Sequence, residues 1–256
     1  MRIIRFLEKT ADPRYGWVLD DKVGLIEGSP FEAFKRGTPE IPLDTIKLLP
    51  PVSPSKVICV GRNYAAHAQE HDAEVPEVPL LFLKPPSAVI GSGDTILLPP
   101  QSQRVEHEAE LAVVIGRRSR WLNPDQVSEA ILGYTVANDV TARDLQRRDG
   151  QWTRGKGFDT FCPIGPWIET EFDAADAVIS CTVNGELRQM GSTRDMVFPL
   201  KQLVAYASSV MTLEPGDLLL TGTPAGVGPL VDGDELVTSI ERLGELRNPV
   251  RAEGPH

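Results

Sequence analysis

Residues 105–116 read VEHEAELAVVIG. Glu106, Glu108 and Glu110 recur at every second position and lead straight into the apolar run from Leu111 to Ile115. In a β-strand, side chains two apart leave the same face, about 6.5 Å apart along the chain. Read as one strand, the stretch lines up three carboxylates just before it enters a core. A solvated strand face bearing a few acids would give the same letters. However, Ala112 to Ile115 show no alternation, which predicts burial on both faces and an internal strand. Carboxylates on an internal strand must be paired or hold a cation.

The rest of the sequence frames that strand. A chain of 256 residues can bury a sizeable core, as one large domain or as a domain with a small appendage. Its formal net charge of −10 argues against nucleic acid or an anionic membrane as partner, since both need a basic surface. Cys59, Cys162 and Cys181 are odd in number and far apart, and read as small buried hydrophobes in a reducing compartment. No signal-peptide core opens the sequence and no apolar run approaches 18 residues, so the expected location is cytoplasmic.

Residues 1–50 read as a small α+β unit. RIIRF is a strand, GWVLDDKVGLIEG a hairpin turning at Asp20-Asp21, and SPFEAFKRG a short helix with Ser29 as cap, Pro30 at its first position and Gly37 as stop. LLPPVSPSK, with three prolines in nine residues, reads as a linker to a body spanning 51–256. That body is strand-rich. KVICVGRNY is a buried strand breaking at Gly61, and VNGELRQMG turns at Asn184-Gly185. Two helices stand out: one opening at NPDQVSEAI behind Asn123, the other PLKQLVAYASSVM with Leu200, Leu203, Val204, Ala207 and Val210 at helical spacing. The fold class is α+β, mostly β, rather than a regular βαβ alternation.

Four segments carry candidate chemistry. Glu108 and Glu110 on one strand face can both reach a hard cation, and VANDVTARD supplies a third carboxylate, Asp139. With no histidine or cysteine in that trio, Mg²⁺ or Mn²⁺ fits better than zinc. In GRNYAAHAQEH, His67 and Glu70 share a helical face, and a carboxylate beside a histidine suits a general base acting on water. A surface histidine on a polar helix is the plainer reading. The same letters spell H-x-x-E-H, His67 to His71, a zinc-peptidase motif that would need a helix-rich domain and a further acid downstream. In TARDLQRRDGQWTRGKGFD, Arg143 and Gln146 would grip a substrate carboxylate, and Lys156 between two glycines would support a developing oxyanion. TGTPAGVG lacks the Gly-Lys-Ser/Thr ending of a phosphate loop, and would line a pocket with backbone amides and the Thr223 hydroxyl.

In this order the segments VGRNYAAHAQE, FLKP, HEAELAVVIG, NDVTARDLQ, KGFDTFCPIGPW, VNGELRQ, GDLLLTGTPAGVGP and LRNPV resemble the fumarylacetoacetate hydrolase family, from about Lys56 to Val250. The first fifty residues are similar to the small variable domain that many members carry. The resemblance implies a mixed β-roll around a metal-centred pocket. It implies Mg²⁺ or Mn²⁺ held by Glu108, Glu110 and Asp139, a water-activating dyad of His67 and Glu70, and substrate contacts from Arg143, Gln146, Lys156 and Thr223. It also implies a lid over residues 66–78, a homodimer, and small 2-oxo acids as substrates. The expected activity is carbon–carbon hydrolysis of acylpyruvates or decarboxylation of an oxaloacetate-type acid through a metal-stabilised enolate. The alternative is isomerisation of a 2-hydroxyhepta-2,4-diene-1,7-dioate, and a non-catalytic binding protein is a further one. Glu106 falls outside the family's ligand pair, and is expected to face solvent or pair with a basic group near Arg104.

Overall fold

The computed structural model describes residues 1–8, 12–70 and 72–254. Strands β1 (Arg2–Leu7), β2 (Arg14–Leu19) and β3 (Lys22–Gly28) form an N-terminal meander. β4 (Val57–Gly61) leads through a turn into α1 (Ala65–Glu70), and β5 (Leu80–Lys84) returns beside β4. β6 (Val105–His107) and β7 (Ala109–Ile115) divide the acidic stretch between them, and β8 (Ile131–Asn138) pairs back onto β7. Two short helices follow, α2 (Arg143–Asp149) and α3 (Thr153–Lys156). The remainder is β9 (Cys162–Glu169), β10 (Val178–Val183), β11 (Glu186–Ser192), α4 (Leu200–Val210), β12 (Leu218–Leu220), β13 (Glu235–Ile240) and β14 (Gly244–Ala252).

The large sheet runs β3-β2-β1-β9-β8-β7-β12-β4-β5. Neighbours along that path are antiparallel except β4 and β12, where Val57 lies opposite Leu218 in parallel register, so the sheet is mixed. A second sheet, β14-β13-β10-β11, packs Ile179, Cys181, Leu236 and Leu246 against Leu111 and Val136 of the first. α4 covers another part of the large sheet, setting Leu203, Val204 and Ala207 on Val113, Ile115 and Leu219. Ala112 and Val114 face the opposite way, onto Cys59, Ala137 and Leu220. β7 is therefore buried on both faces, as its unbroken apolar run predicts. Burying a large aliphatic side chain stabilises by about 1.5–3 kcal/mol, so this strand anchors the site built on its first residues. All three cysteines are buried and free.

The acidic stretch is not one strand. β6 belongs to a small separate sheet with Thr141–Ala142 and Gly228–Pro229. At the break sits Glu108, whose backbone N–H donates to Asn138 Oδ1 at 2.9 Å while its carbonyl accepts from Asp139 N–H at 2.8 Å. The chain changes sheets at the residue that carries the central carboxylate.

Local turn chemistry holds where glycine or asparagine dictates it. Leu19 faces Lys22 across Asp20-Asp21, and Asn184 and Gly185 both adopt positive φ, 53° and 78°, as a type I′ turn requires. The expected helix over residues 29–37 does not form. Ser29 to Glu32 close a single turn, and Phe34–Arg36 instead pairs as a strand with Ile26–Gly28. Phe31 and Phe34 pack against the sheet's apolar cluster there, a gain that so short a helix cannot match. The segment behind Asn123 is a 3₁₀ turn, Pro124–Gln126, followed by one α-turn, Val127–Ala130. On α4 the apolar stripe ends early: Val210 is 52% exposed and Ser208 is buried in its place. α2 has no apolar stripe to announce it, since Leu145 is its sole aliphatic residue.

The proline-rich stretch is packed, with Pro51, Val52 and Pro54 buried. β1 pairs with β9, Ile3 opposite Ile168, so the first fifty residues share the large sheet. Among the described residues no helix is long and apolar enough to cross a membrane.

Candidate metal centre and active-site cavity

The break at Glu108, the end of β8, the α2–α3 pair, the β4–α1 turn and the loop after β12 converge on a cavity of about 310 Å³. Of the nine candidate residues, eight line it: His67, Glu108, Glu110, Asp139, Arg143, Gln146, Lys156 and Thr223. Glu70 stands behind His67.

Glu108, Glu110 and Asp139 are buried, and each offers a carboxylate oxygen within 4.8 Å of the others. Their surroundings differ. Glu108 accepts from Lys156 Nζ at 2.8 Å and from Arg143 Nη2. Burial would raise its carboxyl, but the Lys156 and Arg143 charges outweigh burial and hold it well below the usual range. Asp139 accepts from Lys156 Nζ at 2.6 Å and from the fully buried Lys84, whose Nζ also donates to Val140 O at 3.0 Å. The Lys156 ammonium, despite its burial, is held above its ordinary value by Asp139 and Glu108. Glu110 accepts one hydrogen bond, from Gly222 N–H at 2.7 Å, and makes no salt bridge among the described residues. Burial, reinforced by the charges of Asp139 and Glu108, pushes its carboxyl well up.

A divalent cation fits this donor set. Four buried carboxylates, Glu106 included, meet three buried cations, Lys84, Arg143 and Lys156. Glu110 is the one of the four that makes no salt bridge among the described residues. Three converging carboxylate oxygens with no thiolate or imidazole among them suit Mg²⁺ or Mn²⁺.

Glu106 does not face solvent. It is buried and forked between two arginines, accepting from Arg104 Nε at 2.5 Å and from Arg143 Nε at 2.6 Å. Arg143 Nη1 donates to Gln146 Oε1 at 2.7 Å, so each nitrogen of its guanidinium has a partner. It forms a fixed positive wall of the cavity.

α1 turns His67 inward, and His67 Nδ1 lies 3.4 Å from Glu70 Oε2. Burial lowers the imidazole below its usual pKa, which keeps it neutral and free to accept a proton at pH 7. Glu70 in turn accepts from Gly226 N–H, at 3.1 and 3.2 Å to its two oxygens. Ala68 and Ala73, within the segment expected to act as a lid, also line the cavity. In the H-x-x-E-H reading the second histidine, His71, lies outside the described residues. His67 and Glu70 hydrogen-bond each other here, and α1 spans only six residues.

Sequence reasoning passed over two buried groups. Lys84 was visible in FLKP as a charge ending an apolar strand. Gln189, on β11, is fully buried and makes four contacts. Its Oε1 accepts from Ala109 N–H at 3.0 Å and His107 Nδ1 at 2.9 Å, and its Nε2 donates to Thr223 Oγ1 and Pro224 O, each at 2.8 Å. Thr223 Oγ1 donates onward to Ala109 O at 2.8 Å. One residue thereby fixes the loop after β12 against the start of β7. No periodicity marks a lone glutamine for such a role.

The chain has close counterparts among known proteins. Residues 56–251 match the model of the fumarylacetoacetate (FAA) hydrolase C-terminal family, and residues 1–51 that of the Rv2993c-like N-terminal family. An uncharacterized protein of Archaeoglobus fulgidus is 54% identical, covering 82% of this chain and 84% of its own. The rat protein named oxaloacetate tautomerase Fahd2a, mitochondrial, is 48% identical, over 83% of this chain and 72% of its own. Among solved structures, one titled 5-carboxymethyl-2-hydroxymuconate delta-isomerase from Mycobacterium smegmatis superposes with a TM-score of 0.91 at 44% identity, covering 99% of this chain and 100% of its own. Another, titled 2-hydroxyhepta-2,4-diene-1,7-dioate isomerase from Mycobacterium marinum, gives 0.91 at 42% identity and covers both chains fully. By sequence and by fold, the chain belongs to the fumarylacetoacetate hydrolase family.

Proposed function

We propose that this protein is a divalent-metal-dependent enzyme that forms and protonates the enolate of a small 2-oxo acid. The observation that carries the reading is the convergence of Glu108, Glu110 and Asp139 with Lys156, Arg143 and a neutral His67 on one cavity. Glu108, Glu110 and Asp139 would hold a Mg²⁺ or Mn²⁺ ion, which would supply Lewis acidity to the 2-oxo-carboxylate end of the substrate. Arg143, fixed by Glu106 and Gln146, places positive charge where the substrate carboxylate lies. Lys156 holds its ammonium beside Glu108 and Asp139, ready to share negative charge that develops on the 2-oxygen. His67 takes or returns the C3 proton, and Glu70 keeps its Nδ1 side occupied so that Nε2 is the working nitrogen.

Proton transfer between keto and enol forms is the finer reading we favour, because the rat relative and both mycobacterial structures above are named for tautomerisation or isomerisation of such acids, against one 39% identical structure titled fumarylacetoacetate hydrolase, from Exiguobacterium antarcticum. Carbon–carbon hydrolysis or decarboxylation is the second reading, and the His67–Glu70 pair supports it, since that pair is also arranged to activate water. A Mg²⁺-dependent screen of oxaloacetate, acetylpyruvate, fumarylpyruvate and a hydroxymuconate-type dienoate separates them. Enol loss without pyruvate or CO₂ marks proton transfer; acid release marks cleavage. No metal-dependent change in any of the four sinks the proposal.

A further inference from the structure

Three arginines line the cavity, and they are held differently. Arg143, at the floor, is buried and committed to Glu106 and Glu108. Arg62 and Arg147 are exposed, and neither meets a carboxylate among the described residues. Their neighbours do: Arg148 and Arg154 both pair with Asp149. Two unopposed cations at one opening are unusual for a chain of net charge −10, and they focus a positive potential on whatever enters.

The backbone aims both of them. Arg147 lies four residues after Arg143 on α2, so it shares that helical face one turn nearer the mouth. One turn rises about 5.4 Å, a step of the same order as the span of a short diacid. Arg62 comes from a different segment, directly after β4, with a left-handed φ of 58°. A non-glycine residue holds that conformation at a cost on the order of 1–3 kcal/mol, and such outliers cluster at ligand clamps. Here it carries the guanidinium over Trp152, 6.0 Å from the ring centroid, and Trp152 also lines the cavity. Gly61 makes room for the arrangement, because a Cβ there would lie 2.7 Å from the Trp152 ring.

We infer that Arg62 and Arg147 form a second anion subsite at the cavity mouth, which takes the distal carboxylate of a dicarboxylic 2-oxo acid and makes the enzyme select diacids over 2-oxo acids with an uncharged tail. The inference rests on the proposed function, in which the 2-oxo-carboxylate end occupies the floor. The subsite is built from residues that the metal chemistry leaves unused.

The test compares the native protein with Arg62→Gln, Arg147→Gln and the double variant. With Mg²⁺ present, kcat/KM is measured for oxaloacetate, a diacid, and for acetylpyruvate, which has a methyl ketone tail. Calorimetry with oxalate, which fills the floor without reaching the mouth, reads the integrity of the fold and the floor. The expected result is a native preference for the diacid that falls about 10- to 100-fold in the double variant, chiefly through KM, while oxalate binding stays intact. Raising ionic strength should erode the native preference in the same direction. A double variant with an unchanged diacid-to-monoacid ratio overturns the subsite. So does a native protein that binds Mg²⁺ and oxalate yet favours acetylpyruvate, which leaves the proposed function standing. A native protein that binds neither Mg²⁺ nor oxalate overturns the proposed function and the subsite together.

Discussion

Arg143 and Glu106 form a buried ion pair, Nε to Oε2 at 2.6 Å, between the cavity floor and the small sheet beneath it. Burial would raise the Glu106 carboxyl, yet Arg143 and then Arg104 hold it below the usual range. A depressed carboxylate pKa contributes stability above the unfolded-state value, lost as pH falls through the folded one. Glu106→Gln should therefore cost on the order of 3 kcal/mol at pH 7 and progressively less toward acid. Thermal unfolding across that range measures it. A variant as stable as the native protein would remove Glu106 from the support of Arg143.

Glu110 predicts the reverse. Its carboxyl pKa is raised, so the metal-free protein gains stability from it below the unfolded value and loses that gain as pH rises through the folded one. Without metal at pH 7, Glu110→Gln should be more stable than the native chain. With saturating Mg²⁺ the order should invert, because only the native site binds the ion and gains from it. Melting curves with and without Mg²⁺ decide, and an order that does not invert speaks against Glu110 as a ligand.

His67→Ala should lower turnover by about 10²- to 10⁴-fold and leave calorimetric Mg²⁺ affinity unchanged. In the native protein kcat/KM should fall on acidification, with an apparent pKa below the ordinary histidine value, because burial depresses the imidazole. Full activity of the variant would place the base elsewhere.

Gly226 has φ +99°, and a Cβ there would lie 2.2 Å from Arg188 O. Gly226→Ala must shift the loop whose N–H groups hold both Glu110 and Glu70. The expected outcome is a joint loss, with weaker Mg²⁺ binding and slower turnover in the same variant. Unchanged metal affinity beside reduced turnover would show that the two ends of the loop move independently.

Much of this site was legible because its residue types are improbable where they stand. Carboxylates running into an unbroken apolar strand require a counter-charge, and Asp139 at the end of another apolar run supplies the third oxygen. The break at Glu108 was not legible, because alternating letters continue across it and the change of sheet is imposed by Asn138 and the tertiary ladder. α2 escaped for lack of an apolar face: its buried residues include Arg143 and Gln146, whose burial depends on partners in other segments. Gln189 and Lys84 act through contacts more than thirty residues away in sequence, beyond any local pattern.

The pairing of β1 with β9 also bears on where this chain can be cut. A fragment beginning at residue 52 would keep all nine candidate residues, and so looks like a convenient minimal enzyme. It would also bare the backbone of β9 at Ile168 and Glu169, leaving an unpaired strand edge beside the buried Ile164 and Ile168. Open apolar edges template association between copies. Such a truncation is expected to yield inclusion bodies or soluble aggregates in expression trials, so the boundary useful for protein engineering is not the one that the family match at residue 56 suggests.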